Sequence, residues 1–131
     1  MTAGEWQPGV HRVEEDDAEA LAEAARLDDV TAFLLDGHDV VTKQAFLALF
    51  ARVVGAGDDF GLNLDALYDA LRDLDEPTLL VWDGWPALAA ADPAGFAAIL
   101  DVFATRAEEA ALTVLLPGDG SESALGGGVG E

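Results

Sequence analysis

Hydrophobic residues along this chain fall into three short continuous runs, separated by segments in which apolar residues recur at helical spacing. The runs cover residues 30–35, 78–82 and 112–116, and each is followed by Asp-Gly or Pro-Gly, which favour turns. Short runs that are apolar on both faces are typical of parallel strands covered by helices. The pattern therefore predicts an α/β fold, a small parallel β-sheet packed by helices.

The segments between the runs predict helices that begin at good N-terminal residues. Thr42 and Asn63 are plausible N-caps, and Asp92 is followed by Pro93 at the first helical position. A short turn at 85–88 is also expected to be helical. The residues expected on the buried helix faces are Phe46, Leu47, Phe50, Ala51 and Val54; Leu64, Leu67, Leu71 and Leu74; and Phe96, Ile99, Leu100, Phe103 and Ala107.

The two ends of the chain differ from its centre. Within residues 1–30, valines alternate with His11 and Arg12 as in an edge strand, and an alanine-rich helical stripe follows. With the next strand, these elements would form one right-handed βαβ unit. Residues 118–131 are rich in glycine with few bulky side chains, so we predict a disordered tail. The expected organisation is an N-terminal strand–helix extension, an α/β domain over 31–117, and this tail.

Charge limits the possible partners. The chain has 26 acidic and six basic residues, a formal net charge of −20. Such a surface repels nucleic-acid phosphates and acidic membranes, and it attracts basic proteins. There is no cysteine, which excludes disulfides and zinc–thiolate sites. The beginning of the sequence does not resemble a signal peptide, and no apolar run is long enough to cross a bilayer, so we expect a cytoplasmic protein.

No group of residues in the sequence is typical of an active site. Ser121 and Ser123 lie in the predicted tail, where no base would be held beside them. His38 lies in an Asp-Gly-His-Asp stretch that resembles a metal loop, but Asp-Gly is turn chemistry and no second ligand cluster lies nearby. The glycine-rich stretch near residue 127 is not followed by a helix, as a phosphate loop would be. We therefore expect a binding protein without a metal or cofactor.

One predicted helix, over residues 64–74, carries an unusual outer face. At about 100° per residue its leucines share one face. The residues on the opposite face are Asp65, Tyr68, Asp69, Arg72 and Asp73. A solvated surface would be the simple explanation, but aspartate is a poor helix former and carboxylates four residues apart repel each other. Tyrosine is also enriched at interfaces. The face therefore favours contact with a basic partner.

The stretch from Phe60 to Leu71 resembles the central motif of the barstar family, aromatic-Gly-x-Asn-Leu-Asp-Ala-Leu-aromatic-Asp. The resemblance extends over residues 31–117, and it includes Leu35-Asp36-Gly37 after the first apolar run. Members of this family are intracellular inhibitors of small secreted ribonucleases such as barnase. The resemblance implies a barstar-like fold, to which residues 1–30 would add a strand and a helix.

The resemblance also implies roles for individual residues, because family members plug the ribonuclease active site with this helix and the loop before it. Asp69 would enter the phosphate site, and Asp65 would pair with a basic residue at the guanine-recognition side. Tyr68 stands in place of the family's tryptophan, and Gly61 would permit a close backbone approach. The residues expected to bind the ribonuclease are Asp59, Phe60, Gly61, Asn63, Asp65, Tyr68, Asp69, Arg72 and Asp73.

Some positions depart from the family pattern. Asp59 stands where an aromatic residue is common, and Thr105 falls near an acidic contact position, with a glutamate about one turn on. Arg72 replaces a small polar contact residue. It suggests either an acidic group on the target or a salt bridge back to Asp69 or Asp73.

The sequence thus predicts a non-enzymatic cytoplasmic inhibitor that forms a one-to-one complex with a small secreted guanyl-specific microbial ribonuclease. Two alternatives stay open. The chain could be a barstar-fold module for another basic protein, or an acidic subunit of an enzyme whose chemistry lies elsewhere. Inhibition of a ribonuclease at a near-equimolar ratio would distinguish the first interpretation from both others.

Overall fold

A computed structural model of the chain describes residues 7–56, 61–74 and 76–118. Within these residues the chain forms four strands and five helices, which confirms the predicted α/β class. In chain order they are β1 (Gly9–Val13), α1 (Ala18–Leu27), β2 (Thr31–Asp36), α2 (Lys43–Val54), α3 (Leu64–Arg72), β3 (Thr78–Asp83), α4 (Trp85–Ala91), α5 (Pro93–Ala107) and β4 (Leu112–Pro117).

The four strands form one parallel sheet in the order β1-β4-β3-β2. The central strands β3 and β4 pair from Thr78 opposite Leu112 to Val81 opposite Leu115. Nearly every residue of these two strands is buried. The continuous apolar runs are therefore strands covered on both faces, as the sequence predicts.

The predicted unit of β1, α1 and β2 is present, but its two strands lie at opposite edges of the sheet. Strand β1 is an edge strand, as predicted, but it pairs with β4 rather than with β2. Strand β1 contains His11 and Arg12, which suit a strand with one open edge, whereas β3 and β4, whose residues are nearly all buried, take the centre. The chain of β1, α1 and β2 therefore crosses the full width of the sheet.

Helices cover the two faces of the sheet unequally. On one face, α2, α3, α4 and α5 enclose the main core, to which the central strands contribute Leu80, Trp82 and Val114. On the other face, α1 is the only helix among the described residues, and it covers a smaller core. The buried residues of this second core are Ala18, Ala22, Ala25, Val30, Ala32, Leu79, Val81 and Leu115.

The helix starts agree with the predicted caps. Thr42 accepts a hydrogen bond from the backbone N–H of Ala45, and Asp92 accepts one from Gly95 at the start of α5. The short turn after β3 is helical, as predicted, and forms α4. Each cap satisfies an N–H group that the helix itself leaves unpaired.

No helix in the described parts of the chain is long and apolar enough to cross a membrane. Apart from Gly118, the predicted disordered tail lies outside the described residues.

Candidate functional site

Helix α3 is held in place by the leucines predicted for its inner face. Leu67 and Leu71 are 0% and 1% exposed, and Leu64 and Leu74 are half-buried against the same core. The inner face packs mainly toward α5. Because the inner face attaches through apolar side chains, the aspartates of the outer face are not needed to hold the helix on the protein.

The start of α3 depends on a glycine and an asparagine. The Asn63 side-chain oxygen accepts a hydrogen bond of 2.8 Å from the N–H of Ala66, which confirms the predicted cap. A Cβ atom added to Gly61 would lie 2.9 Å from the Asn63 side-chain nitrogen. The close approach at Gly61 is therefore made to the capping residue of the same chain, and it leaves the asparagine room to cap the helix.

Three carboxylates form a row along the outer face of α3, which we call the acidic stripe: Asp65, Asp69 and Asp73. All three are exposed. Among residues 7–56, 61–74 and 76–118, no group donates a hydrogen bond to these carboxylates or pairs with them. Asp65 benefits from the helix dipole, but Asp73 lies at the C-cap, where that dipole disfavours an anion. The stripe thus presents three unpaired negative charges to solvent.

Tyr68 and Arg72 lie beside the acidic stripe, one helical turn apart. The Arg72 guanidinium carbon is 6.0 Å from the centre of the Tyr68 ring. In the described part of the chain Arg72 makes no salt bridge to Asp69 or Asp73, so that alternative is not borne out. The ring face is a favourable location for a guanidinium. It leaves the arginine exposed on the same surface as the acids.

Tyr68 also joins α3 to the end of α5. Its hydroxyl donates a hydrogen bond to Oε1 of Glu109, and the same oxygen lies 3.4 Å from Nη1 of Arg106. The hydrogen bond from the Tyr68 phenol lowers the pKa of Glu109 most, and Arg106 lowers it further. The bond to the carboxylate raises the pKa of Tyr68. The acid is therefore ionised and the phenol neutral at neutral pH, as this hydrogen bond requires.

Sequence reasoning did not find Glu109 or Arg106. It pointed instead to Thr105 and to Glu108, one residue before Glu109, and both are exposed. The available signal was the spacing of three between Arg106 and Glu109, which often forms an ion pair at a helix end. That spacing gives no information about Tyr68, which is distant in sequence.

Seven of the nine expected binding residues lie together at α3 and its N-terminus: Gly61, Asn63, Asp65, Tyr68, Asp69, Arg72 and Asp73. The other two, Asp59 and Phe60, lie outside the described residues, so their predicted contacts stay predictions.

His38 lies in a turn after β2, at the carboxyl ends of two neighbouring strands. Its Nδ1 is 2.7 Å from Oδ1 of Asp36, and its Nε2 is 3.8 Å from Oδ2 of Asp83. The bond to Asp36 raises the pKa of His38 and lowers that of Asp36. Across the stretches that the structure describes, no three acidic or histidine side chains are grouped so that they could hold a metal ion. The contacts made by His38 are those of a strand-ending turn.

The His38–Asp36 pair predicts a small pH dependence of stability. The histidine's contribution is complete below its usual pKa of 6.5 and is lost as pH rises through the raised value. The aspartate's contribution is complete above its usual pKa of 3.8 and is lost as pH falls through the lowered value. Both contributions are complete between pH 3.8 and pH 6.5. His38→Gln should therefore lower the free energy of unfolding most in this pH range, by less than about 1 kcal/mol for so exposed a pair.

Urea unfolding at a series of pH values measures this effect. In an Asp36→Asn background the pH dependence of the His38→Gln effect should largely disappear. If it persists unchanged, the histidine interacts mainly with another group.

The geometry of α3 agrees with one comparison to known proteins. A family model described as Barstar (barnase inhibitor) matches residues 30–116, from the start of β2 through nearly all of β4. No curated protein matches this chain. The matched segment contains α3, its capping residue and the acidic stripe, and it excludes β1 and α1. On this match, which covers more than half of the sequence, the chain belongs to the barstar family of barnase-type ribonuclease inhibitors.

Proposed function

We propose that this protein inhibits a small secreted guanyl-specific microbial ribonuclease by covering its active site with α3 and the loop before it. The complex contains one inhibitor and one enzyme. Residues 31–117 form the inhibitory domain, and the inhibitor acts in the cytoplasm of the cell that makes the enzyme. The observation that carries this proposal is the acidic stripe, unpaired and exposed within the segment that matches the family.

The acidic stripe suits an enzyme that binds phosphate. Such a site presents cationic groups, arginine above all, to a tetrahedral anion. A carboxylate offers two oxygen atoms to an arginine in a similar way, and the resulting charge-assisted hydrogen bonds are stronger than neutral ones. Asp69 lies at the middle of the stripe, and we assign it to the phosphate-binding site. Asp65, at the start of the helix, then faces the guanine-recognition side.

Titration of a purified guanyl-specific ribonuclease with the protein tests the proposal. We expect RNA cleavage to fall linearly and to stop near an equimolar ratio. A cationic ribonuclease of an unrelated fold serves as the control, because nonspecific attraction to −20 of charge would affect both enzymes. Equal weak inhibition of both, or none of either across a panel of microbial ribonucleases, contradicts the proposal.

Association should depend strongly on salt. The net charge of −20 attracts a cationic enzyme over long distances, and electrostatic steering of this kind raises association rates by about 10- to 1000-fold. At 1 M salt, charges are screened beyond about 3 Å. We therefore expect the association rate to fall at least about tenfold between low and high salt, with a much smaller change in dissociation. Stopped-flow fluorescence measures both rates, and an association rate that does not vary with salt would contradict steering.

A second candidate is a barstar-fold module for another basic protein. It is favoured by Arg72, which is exposed on the same face as the acids and not paired with Asp69 or Asp73. A partner for this face would need an acid opposite the arginine as well as cations opposite the stripe. Tight binding to a basic protein without ribonuclease activity, together with no inhibition of the ribonuclease panel, would support this candidate.

A further inference from the structure

The contact between α3 and the end of α5 is the most specific polar arrangement outside the acidic stripe. The Tyr68 hydroxyl donates to Glu109, and Arg106 lies beside the same carboxylate oxygen. The Arg106 side chain is 14% exposed and that of Glu109 is 44% exposed, so the arginine supports the glutamate from within the protein. Three side chains, from α3, the last turn of α5 and the turn that follows it, thus meet at one point.

The backbone around Glu109 is itself fixed. Its N–H donates to the carbonyl of Arg106 at 2.9 Å, and the next N–H, of Ala110, donates to the same carbonyl at 3.1 Å. These bonds close the turn that ends α5, and the buried Phe103 anchors the helix on the core. The carboxylate therefore reaches Tyr68 from a stable position.

The hydrogen bond from Tyr68 to Glu109, which we call the bridge, determines where the Tyr68 ring points. The ring is half-buried, beside the acidic stripe on one side and under the Arg72 guanidinium. Without Glu109 the hydroxyl would have no acceptor among the contacts described for it, and the ring and the arginine above it could adopt other rotamers. Ordering such side chains on binding costs free energy and weakens the complex.

We propose that Glu109 is a positioning residue, which holds Tyr68 and through it Arg72 in the orientation that the partner meets. This proposal rests on the proposed function of α3 in ribonuclease binding. It assigns Glu109 no direct contact with the enzyme, and it distinguishes the residue from the acids of the stripe, whose role is to supply charge.

A double-mutant cycle on inhibition constants tests this role. Glu109→Ala and Tyr68→Phe should each weaken inhibition about three- to tenfold. In the Tyr68→Phe background, Glu109→Ala should add much less than it does alone, because the positioning role acts through the hydroxyl. Glu109→Gln keeps an acceptor oxygen without the charge and should retain most of the inhibition. Glu19→Ala, which removes the same charge from an exposed position of α1, is the control and should have little effect.

The opposite result is equally clear. If Glu109→Gln weakens inhibition as much as Glu109→Ala, and if both losses persist in the Tyr68→Phe background, the glutamate acts by its charge on the partner. The positioning role is then wrong, although the proposed inhibition of a ribonuclease is unaffected.

A measurement on the free protein separates this proposal from the proposed function. Tyr68 is the chain's only tyrosine, so its ring resonances in NMR spectra are unambiguous. They should move in Glu109→Ala and not in Glu19→Ala. If they move but the parent protein inhibits no ribonuclease, the proposed function fails and the bridge stands. If they do not move, the bridge is absent from solution and the positioning role falls whatever the protein inhibits.

Discussion

Asp69→Ala is expected to weaken ribonuclease inhibition more than any other single substitution on α3, while leaving the protein folded. In the complex, the loss of this carboxylate leaves the enzyme's phosphate-binding cations buried without a partner. Truncating one side of such a buried charge pair costs about 2–5 kcal/mol or more. At about 1.4 kcal/mol per factor of ten, the inhibition constant should rise at least about 30-fold.

The folded state does not need Asp69. The side chain is exposed, and the helix is attached through Leu67 and Leu71 on the opposite face. Its removal also relieves repulsion with Asp65 and Asp73, four residues away on either side. We therefore expect the melting temperature of Asp69→Ala to equal or slightly exceed that of the parent.

The matched control is Glu19→Ala on α1, which removes one negative charge from an exposed position of another helix. It should change inhibition very little. Asp65→Ala and Tyr68→Ala should follow Asp69→Ala at smaller cost. If Asp69→Ala inhibits as well as the parent while it stays folded, the assignment of Asp69 to the phosphate site is wrong and another surface makes the contact.

Much of the fold can be read from local sequence, because its elements are determined by neighbouring residues. The continuous apolar runs of β3 and β4 are only compatible with burial on both faces, and caps such as Asn63 mark helix starts without reference to the rest of the chain. The acidic stripe was predictable for the same reason, since a spacing of four places side chains in one row on any helix.

The features that the sequence did not reveal depend on residues far apart in the chain. The pairing of β1 with β4 sets Val10 opposite Val114, and hydrophobic periodicity carries no information about which strands become neighbours. The hydrogen bond from Tyr68 to Glu109 likewise joins α3 to a turn beyond α5. The Arg72 guanidinium lies over the Tyr68 ring, a location that local charge rules did not predict because they pair an arginine with the nearest aspartate.

The role of β1 and α1 was also open in the sequence, and the structure gives it a physical basis. The family match begins at residue 30, so both elements lie outside it. Yet α1 is the only helix of the described chain that covers the second face of the sheet, where Leu79, Val81 and Leu115 are at most 5% exposed. In this chain the extension covers an apolar surface that the matched domain cannot cover by itself.

Deleting residues 1–29 is therefore expected to abolish stable folding. The deletion exposes Leu79, Val81 and Leu115 and removes the strand that pairs with β4. Burial of one such side chain contributes about 1.5–3 kcal/mol, so the three together contribute about 5–9 kcal/mol. The whole stability of a domain is typically about 5–15 kcal/mol. Circular dichroism should show no cooperative thermal transition for the truncated chain, or the chain should aggregate.

A pair of substitutions tests the packing of α1 against the sheet in the full-length chain. Ala25 is 0% exposed on the inner face of α1, whereas Ala20 is an exposed residue of the same helix. Ala25→Gln forces an amide into the second core and should lower the melting temperature strongly, because overpacking and an unsatisfied polar group both destabilise it. Ala20→Gln makes the same chemical change at the surface and should have almost no effect.

If the chain lacking residues 1–29 melts cooperatively near the parent temperature and still inhibits a ribonuclease, the second core is dispensable. The extension would then be an appendage to a domain that folds without it.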